Sequence, residues 1–213
     1  MKRVLNKDRV FYTAMISLIT IVVILIAIGL YNSFLKKDKE EEVVVKNKLD
    51  SLELYGYTLD DMDTELYKTY FGELKSILNE KEKNYEDYAK AIVKLFVADF
   101  YNLDSKISSS DFGGLEFIHP DILSNFKINA GDTMYNHIKT NLDGDRNQKL
   151  PIVNNVEITN LENTTYVYNE KTYDAYKITA KWEYKEDLGY ESEGIFFVIK
   201  DGNKLHIVEK SGD

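Results

Sequence analysis

The sequence predicts an α+β fold: helices in the first half, an antiparallel sheet in the second. Two changes of pattern say so. Between residues 64 and 103 apolar side chains recur at helical spacing, whereas past Leu150 they alternate with polar ones at a period of two. Helices first and strands afterwards is the order of an α+β domain and not of a βαβ repeat. A third observation, the uncharged run Phe11 to Leu30, predicts a single membrane-spanning helix in front of that domain.

That run, "FYTAMISLITIVVILIAIGL", has twenty residues, about 30 Å as a helix, the thickness of a bilayer's hydrocarbon core. Tyr12 and Tyr31 stand where an aromatic belt lies. Ala27-Ile28-Gly29 has a small-x-small pattern, but the apolar run exceeds the 7 to 15 residues usual for a cleaved signal peptide, so an uncleaved signal anchor is expected. Four basic residues precede the run, and Lys36, Lys37 and Lys39 follow it, so charge alone nearly ties. A short tail with a free amine favours the N-terminus inside. The expected layout is a cytoplasmic tail over 1–10, a single-pass helix over 11–30 in a bacterial cell membrane, a charged stalk over 31–50 and an extracytoplasmic domain over 51–213.

Composition narrows the function classes. There is no cysteine, which removes disulfides, thiolate metal sites and cysteine nucleophiles. Residues 1–35 contribute +3 to the net charge of −9, leaving −12 on the remainder, a poor surface for nucleic acid or anionic lipid. Abundant Lys, Asn, Ile and Tyr with two prolines agree with an AT-rich bacterial genome.

Element by element, "KKDKEEEVVVKNK" reads as a spacer and "LELYGYTL" over 52–59 as a short strand or extended arm. Asp63 is the expected N-cap of a helix from Thr64 to Asn79, with Leu66, Tyr67, Tyr70, Phe71, Leu74, Ile77 and Leu78 on one stripe. After the polar turn "NEKEKN" a second helix runs from Tyr85 to Leu103. The serines and Gly113-Gly114 mark a loop with a short strand at Leu115 to Ile118. Pro120 opens further helix, over 121–127 and again over 132–141. Val156 and Ile158 belong to one strand and "TYVY" to another. Tyr176 to Tyr184 alternates cleanly, and "GIFFVIKDGNKLHIVE" is a hairpin turning at Asp201-Gly202.

This order of two helices, a strand-like loop at Gly113 to Ile118, a third helical region and long antiparallel strands resembles the nuclear transport factor 2-like fold, over about Asp63 to Glu209. The resemblance implies a strongly bent sheet wrapping a long helix into a cone with an internal cavity. With the anchor added, the layout is similar to the bitopic assembly subunits of type IV secretion and conjugation machines, and implies an envelope protein partner or self-association.

Asp99 is the one residue out of place. On a helix, Tyr88, Ile92, Leu95, Asp99 and Leu103 line up, with Phe96 and Ala91 beside them and Glu86, Lys90 and Lys94 opposite. A carboxylate there must be paired, hydrogen-bonded or neutral. It is the candidate catalytic or ligand-anchoring group, weighed against a structural acid held by tyrosine, lysine or backbone, which carries more weight.

His119, His137 and His206 have no metal-ligand spacing. Asp143, Asp145 and Asn147 begin like a calcium loop, but Gln148 stands where glycine is needed and Asn154 where glutamate is needed. No cofactor is expected, and no serine lies in a nucleophile elbow. The reading is a non-catalytic binding or assembly module of a bacterial envelope complex. The alternative is a small-molecule binder or a lyase- or isomerase-type enzyme using Asp99.

Overall fold

A computed structural model of the chain describes Ile26 and residues 46–212. The chain divides into two units, Met1–Val44 and Val45–Asp213, and of the first only Ile26 is described. The second is α+β, as its two sequence periods predict.

One expectation is corrected. Among the described residues no helix is long and apolar enough to cross a membrane. The longest helix that is fully described has 16 residues, about 24 Å, and carries Glu86, Asp87, Lys90, Lys94 and Asp99. Such a helix is too short and too charged for a bilayer core. The membrane helix, the signal anchor, the single-pass cell-membrane localisation and the bilayer as partner are therefore withdrawn as readings. Apart from Ile26, helical and exposed, the run 11–30 lies outside the described residues, as does most of the stalk.

The second unit opens with a hairpin, β1 (Lys48–Leu52) and β2 (Tyr57–Asp60), where an arm or short strand was expected. Two helices follow, α1 (Glu65–Asn79) and α2 (Tyr85–Phe100). The N-cap of α1 is Thr64, whose hydroxyl accepts from Tyr67 N at 3.2 Å, and not Asp63. The Asp63 carboxylate instead accepts from Asp60 N at 2.6 Å and closes the chain behind β2. Asn84 caps α2 by accepting from the amides of Glu86 and Asp87, and those two acids complement the positive end of the helix.

Ten of the sixteen residues of α2 are buried, so this helix is covered nearly all round and not along one stripe. At about 1.5–3 kcal/mol for each large apolar side chain buried, it is the principal organiser of the core. It stops at Phe100. Leu103 stays fully buried in a 3-10 turn, Leu103–Ser105, that follows.

Leu115–Phe117 is a 3-10 turn and not a strand, although Ile118 bridges to Ile207 in parallel. A further 3-10 turn, Pro120–Ile122, leads into α3 (Leu123–Asp132). The expected helix over 132–141 is replaced by turns, in which Tyr135 and Ile138 are buried.

The sheet has the order β3 (Val153–Tyr168), β4 (Lys171–Tyr184), β5 (Glu193–Asp201), β6 (Lys204–Ser211), all antiparallel. The two strands expected within 153–168 are one, because the bulge at Thr159 bends the strand without ending it. Val156, Ile178, Ala180, Trp182, Phe196, Val198, Leu205 and Ile207 face the helices. On the opposite face Ala175, Ile199 and Val208 form a second small cluster under Tyr166, Tyr173 and Phe197. Tyr166 reaches over β4 and β5 to donate to Glu209 at 2.9 Å. The initial hairpin is tied to both layers, since the Tyr57 and Tyr88 hydroxyls meet at 2.7 Å and Tyr57 donates to Leu205 O at 3.1 Å.

Candidate functional site

Asp99 lies one residue before the end of α2, on the side where the chain returns after the 3-10 turn. One carboxylate oxygen is in a short contact with the Lys106 ammonium, and the other accepts from Gly114 N at 2.6 Å. Both oxygens are thus engaged. The Lys106 side chain is 3% exposed and that of Asp99 23% exposed. Burial pushes the Asp99 carboxyl up, but the Lys106 charge and hydrogen bond, together with Gly114 N–H, outweigh it and hold the group below its ordinary range.

The two glycines serve the acid. A Cβ on Gly113 would lie 2.6 Å from Asp99 O, and Gly114 has φ +70°, open to glycine at no cost. The turn therefore lies directly against the end of α2. Tyr135 completes the lock, accepting from Gly113 N at 3.1 Å and donating to Phe100 O at 2.7 Å. Lysine, backbone and glycine hold this carboxylate.

The space bounded by Asp63, Thr64, Tyr67, Asp99, Ser105 and Lys106 is about 10 Å³, room for one water. Two further acids sit near it, Glu116 and Asp63, neither of them marked by the sequence as a candidate site residue. Glu116 accepts from Thr58 N at 3.0 Å, Thr58 Oγ1 at 3.1 Å and Tyr67 hydroxyl at 2.8 Å, joining β2 to α1. Burial pushes its carboxyl up to about 7 against the pull of those donors. Asp63 is pushed up to about 6, again mainly by burial, with the Asp99 charge adding to it. The signal available in sequence was local: Lys106 follows Asp99 by seven residues, and Glu116 follows the double glycine.

The calcium-like loop is organised differently. Asp143, Asp145 and Asn147 are exposed, and the Arg146 guanidinium donates to Lys106 O at 2.7 Å, Asp104 O at 2.6 Å and Lys139 O at 3.3 Å. Arg146 thus ties the loop to the turn after α2 and to the backbone at Lys139. No group of three or more His, Asp or Glu among the described residues is placed to hold a metal. His119 and His206, far apart in sequence, come together with ring centroids 5.3 Å apart through the Ile118–Ile207 bridge; His137 stays apart and exposed.

A much larger opening lies on the other side of α2. Glu73, Ser76 and Ile77 of α1, Asp87, Lys90, Ala91 and Lys94 of α2, and residues 155–158 of β3 line a groove of about 690 Å³. Its floor is apolar, from Ile77, Ala91, Val156 and Ile158. Its lysines are already matched: Lys90 with Asp87 at 2.9 Å, and Lys94 with Glu73 at 3.4 Å and over the Tyr70 ring at 5.0 Å. Glu157 stands exposed at the margin.

The groove runs along the outer edge of the sheet, since β3 has no strand on its other side among the described residues. Where β3 enters, side chains cap that edge. Asn102 accepts from Val153 N at 3.1 Å, and the Tyr70 hydroxyl meets both Val156 N at 3.1 Å and Val156 O at 3.4 Å. Nothing in the linear sequence announces this groove, because it is made by three elements meeting. Compared with known proteins, the chain matches no family model, no curated protein and no solved structure.

Proposed function

We propose that the domain is a non-catalytic binding and assembly module whose working surface is the groove between α1, α2 and β3. The observation that carries this reading is the contrast between the two openings. The groove offers about 690 Å³ over an apolar floor, whereas the space at Asp99 holds about one water and its carboxylate has both oxygens engaged. Concave, mostly apolar openings with a few polar groups at the margin are where a protein most often binds something. A general base or ligand anchor needs a substrate within hydrogen-bond reach, and the space at Asp99 admits no more than about one water, so the alternative built on Asp99 is the weaker one. The nuclear transport factor 2-like arrangement belongs to the same proposal, with the helix pair packed on one face of a four-stranded antiparallel sheet.

The test is site-specific photocrosslinking in the native host, with the reactive side chain at Ser76 in the groove or at Lys127 on α3. The expected result is a discrete protein adduct from Ser76 and none from Lys127. Equal labelling from both positions, or none from Ser76, overturns the reading.

A further inference from the structure

We propose that the groove takes an extended peptide that adds to the free edge of β3 as a fifth strand, with apolar and basic residues alternating along it. This rests on the groove being the working surface and goes further by naming what enters it.

The backbone decides which groups are on offer. Trp182 N donates to Ser192 O, on the β5 side of β4. Backbone groups alternate sides along an antiparallel strand, so Ala180, Ile178 and Tyr176 also turn toward β5. Their partners across the β3–β4 ladder are Ile158, Leu161 and Asn163, and Trp182's is Val156. These four therefore turn their N–H and C=O groups away from β4, toward the open edge. Val156 confirms the phase, since both of its groups meet the Tyr70 hydroxyl. Tyr70 closes the edge there; from Ile158 onward no strand among the described residues closes it. A row of unpaired backbone groups beside an apolar trough is the arrangement that strand addition uses.

Side chains set the chemistry of the guest. Ile158 and Leu161 pack against the main core, so every second residue of an added strand would face the same side, over Ile77 and Ala91. The intervening residues would lie beside Glu157 and Glu162, both exposed on the other face. Across Val153–Tyr168 the strand carries these two acids and no lysine or arginine. Lysine on an exposed edge is a common guard against strand pairing, and this edge has none. The same composition argues against a second copy as occupant: pairing β3 antiparallel with itself never sets a base against either glutamate. A basic partner strand meets both.

The experiment uses the full chain and an acetylated decapeptide alternating Val and Lys. Two controls are the same peptide with Glu for Lys, and the Val/Lys peptide N-methylated on every second amide, in two versions that cover both faces. The expected result is saturable binding of the Val/Lys peptide and of the N-methylated version whose free amides face β3, with slowed amide exchange at Ile158, Leu161 and Asn163, and no binding of the Val/Glu peptide or of the other N-methylated version. Ile158→Pro, which removes an edge-facing N–H that the β4 ladder does not use, should weaken binding by about tenfold or more. The double variant Glu157→Lys, Glu162→Lys, confined to exposed side chains, should shift preference to the Val/Glu peptide. The proposal is overturned by absence of Val/Lys binding, by equal binding of both N-methylated versions, or by binding unchanged in both variants. A dimer of the free chain that Ile158→Pro dissolves would assign the edge to a second copy instead. If the peptide fails while Ser76 still crosslinks a discrete partner, strand addition is wrong and the groove reading stands; if both fail, both are wrong.

Discussion

Replacing Asp99 by Asn tests whether the acid at the end of α2 is a structural lock. The substitution keeps an oxygen for Gly114 N–H but removes the charge facing Lys106, whose side chain is 3% exposed. Breaking a buried ion pair from one side costs about 3–5 kcal/mol, because the other charge is left desolvated. The Asp99 side chain is 23% exposed, so water can partly reach the site and the lower end applies, about 3 kcal/mol. For a chain of this size that lowers Tm by about 6–12 °C. Lys106→Met leaves the better-hydrated partner behind and should cost less, about 1–2 kcal/mol. The double variant, with neither charge, should return to within about 1–2 kcal/mol of the parent, a coupling near 3 kcal/mol. Urea unfolding of the four proteins at neutral pH measures this cycle. The pair also has an acid limb: the folded state holds the Asp99 carboxyl below its ordinary value, so its contribution is complete above the unfolded pKa and disappears as pH falls through the folded one. Asp99→Asn should lack that limb. The reasoning is refuted if Asp99→Asn costs under about 1 kcal/mol with no coupling to Lys106, or if it leaves stability intact while abolishing binding of a ligand.

Glu116 and Asp63 point the other way, since burial raises their carboxyls to about 7 and about 6. In this window the folded state binds more protons than the unfolded one, so stability should rise as pH falls from about 8 toward 5. Glu116→Gln should flatten most of that slope in urea titrations taken at several pH values, and an unchanged slope would remove Glu116 as its source. At the tip of the β3–β4 hairpin, Asn169 and Glu170 have φ of +48° and +61°. Glutamate is costly in that region and glycine is not, so Glu170→Gly should stabilise by about 1 kcal/mol in the same assay, and a loss of stability would contradict it.

What could be read along the chain was whatever depends on neighbours in sequence. Helix α1 ends at the expected Asn79 because its apolar spacing and the polar turn after it are local signals. The alternation of Tyr176 to Tyr184 likewise placed Ile178, Ala180 and Trp182 inward and Lys181 and Glu183 outward. Local pattern also raised the right question about Asp99, since an acid on an apolar face must have a partner. It misjudged where several locally ambiguous stretches would settle. Leu115–Phe117 became a 3-10 turn once Glu116 bound Thr58 and Tyr67, and 153–168 remained one strand because a bulge absorbed the irregularity.

Which of the nearby groups partners Asp99, and the existence of the groove, were decided by tertiary structure. Lys106 is seven residues away, but only the turn after α2 and the close approach permitted by Gly113 bring it and Gly114 N–H onto the two carboxylate oxygens. The free edge of β3 exists because strand order is β3-β4-β5-β6, and the trough beside it because Tyr70 draws α1 against Val156, 86 residues away. Period and capping follow from the geometry of one segment. Which surface is left open depends on how segments meet, and no single segment carries that information.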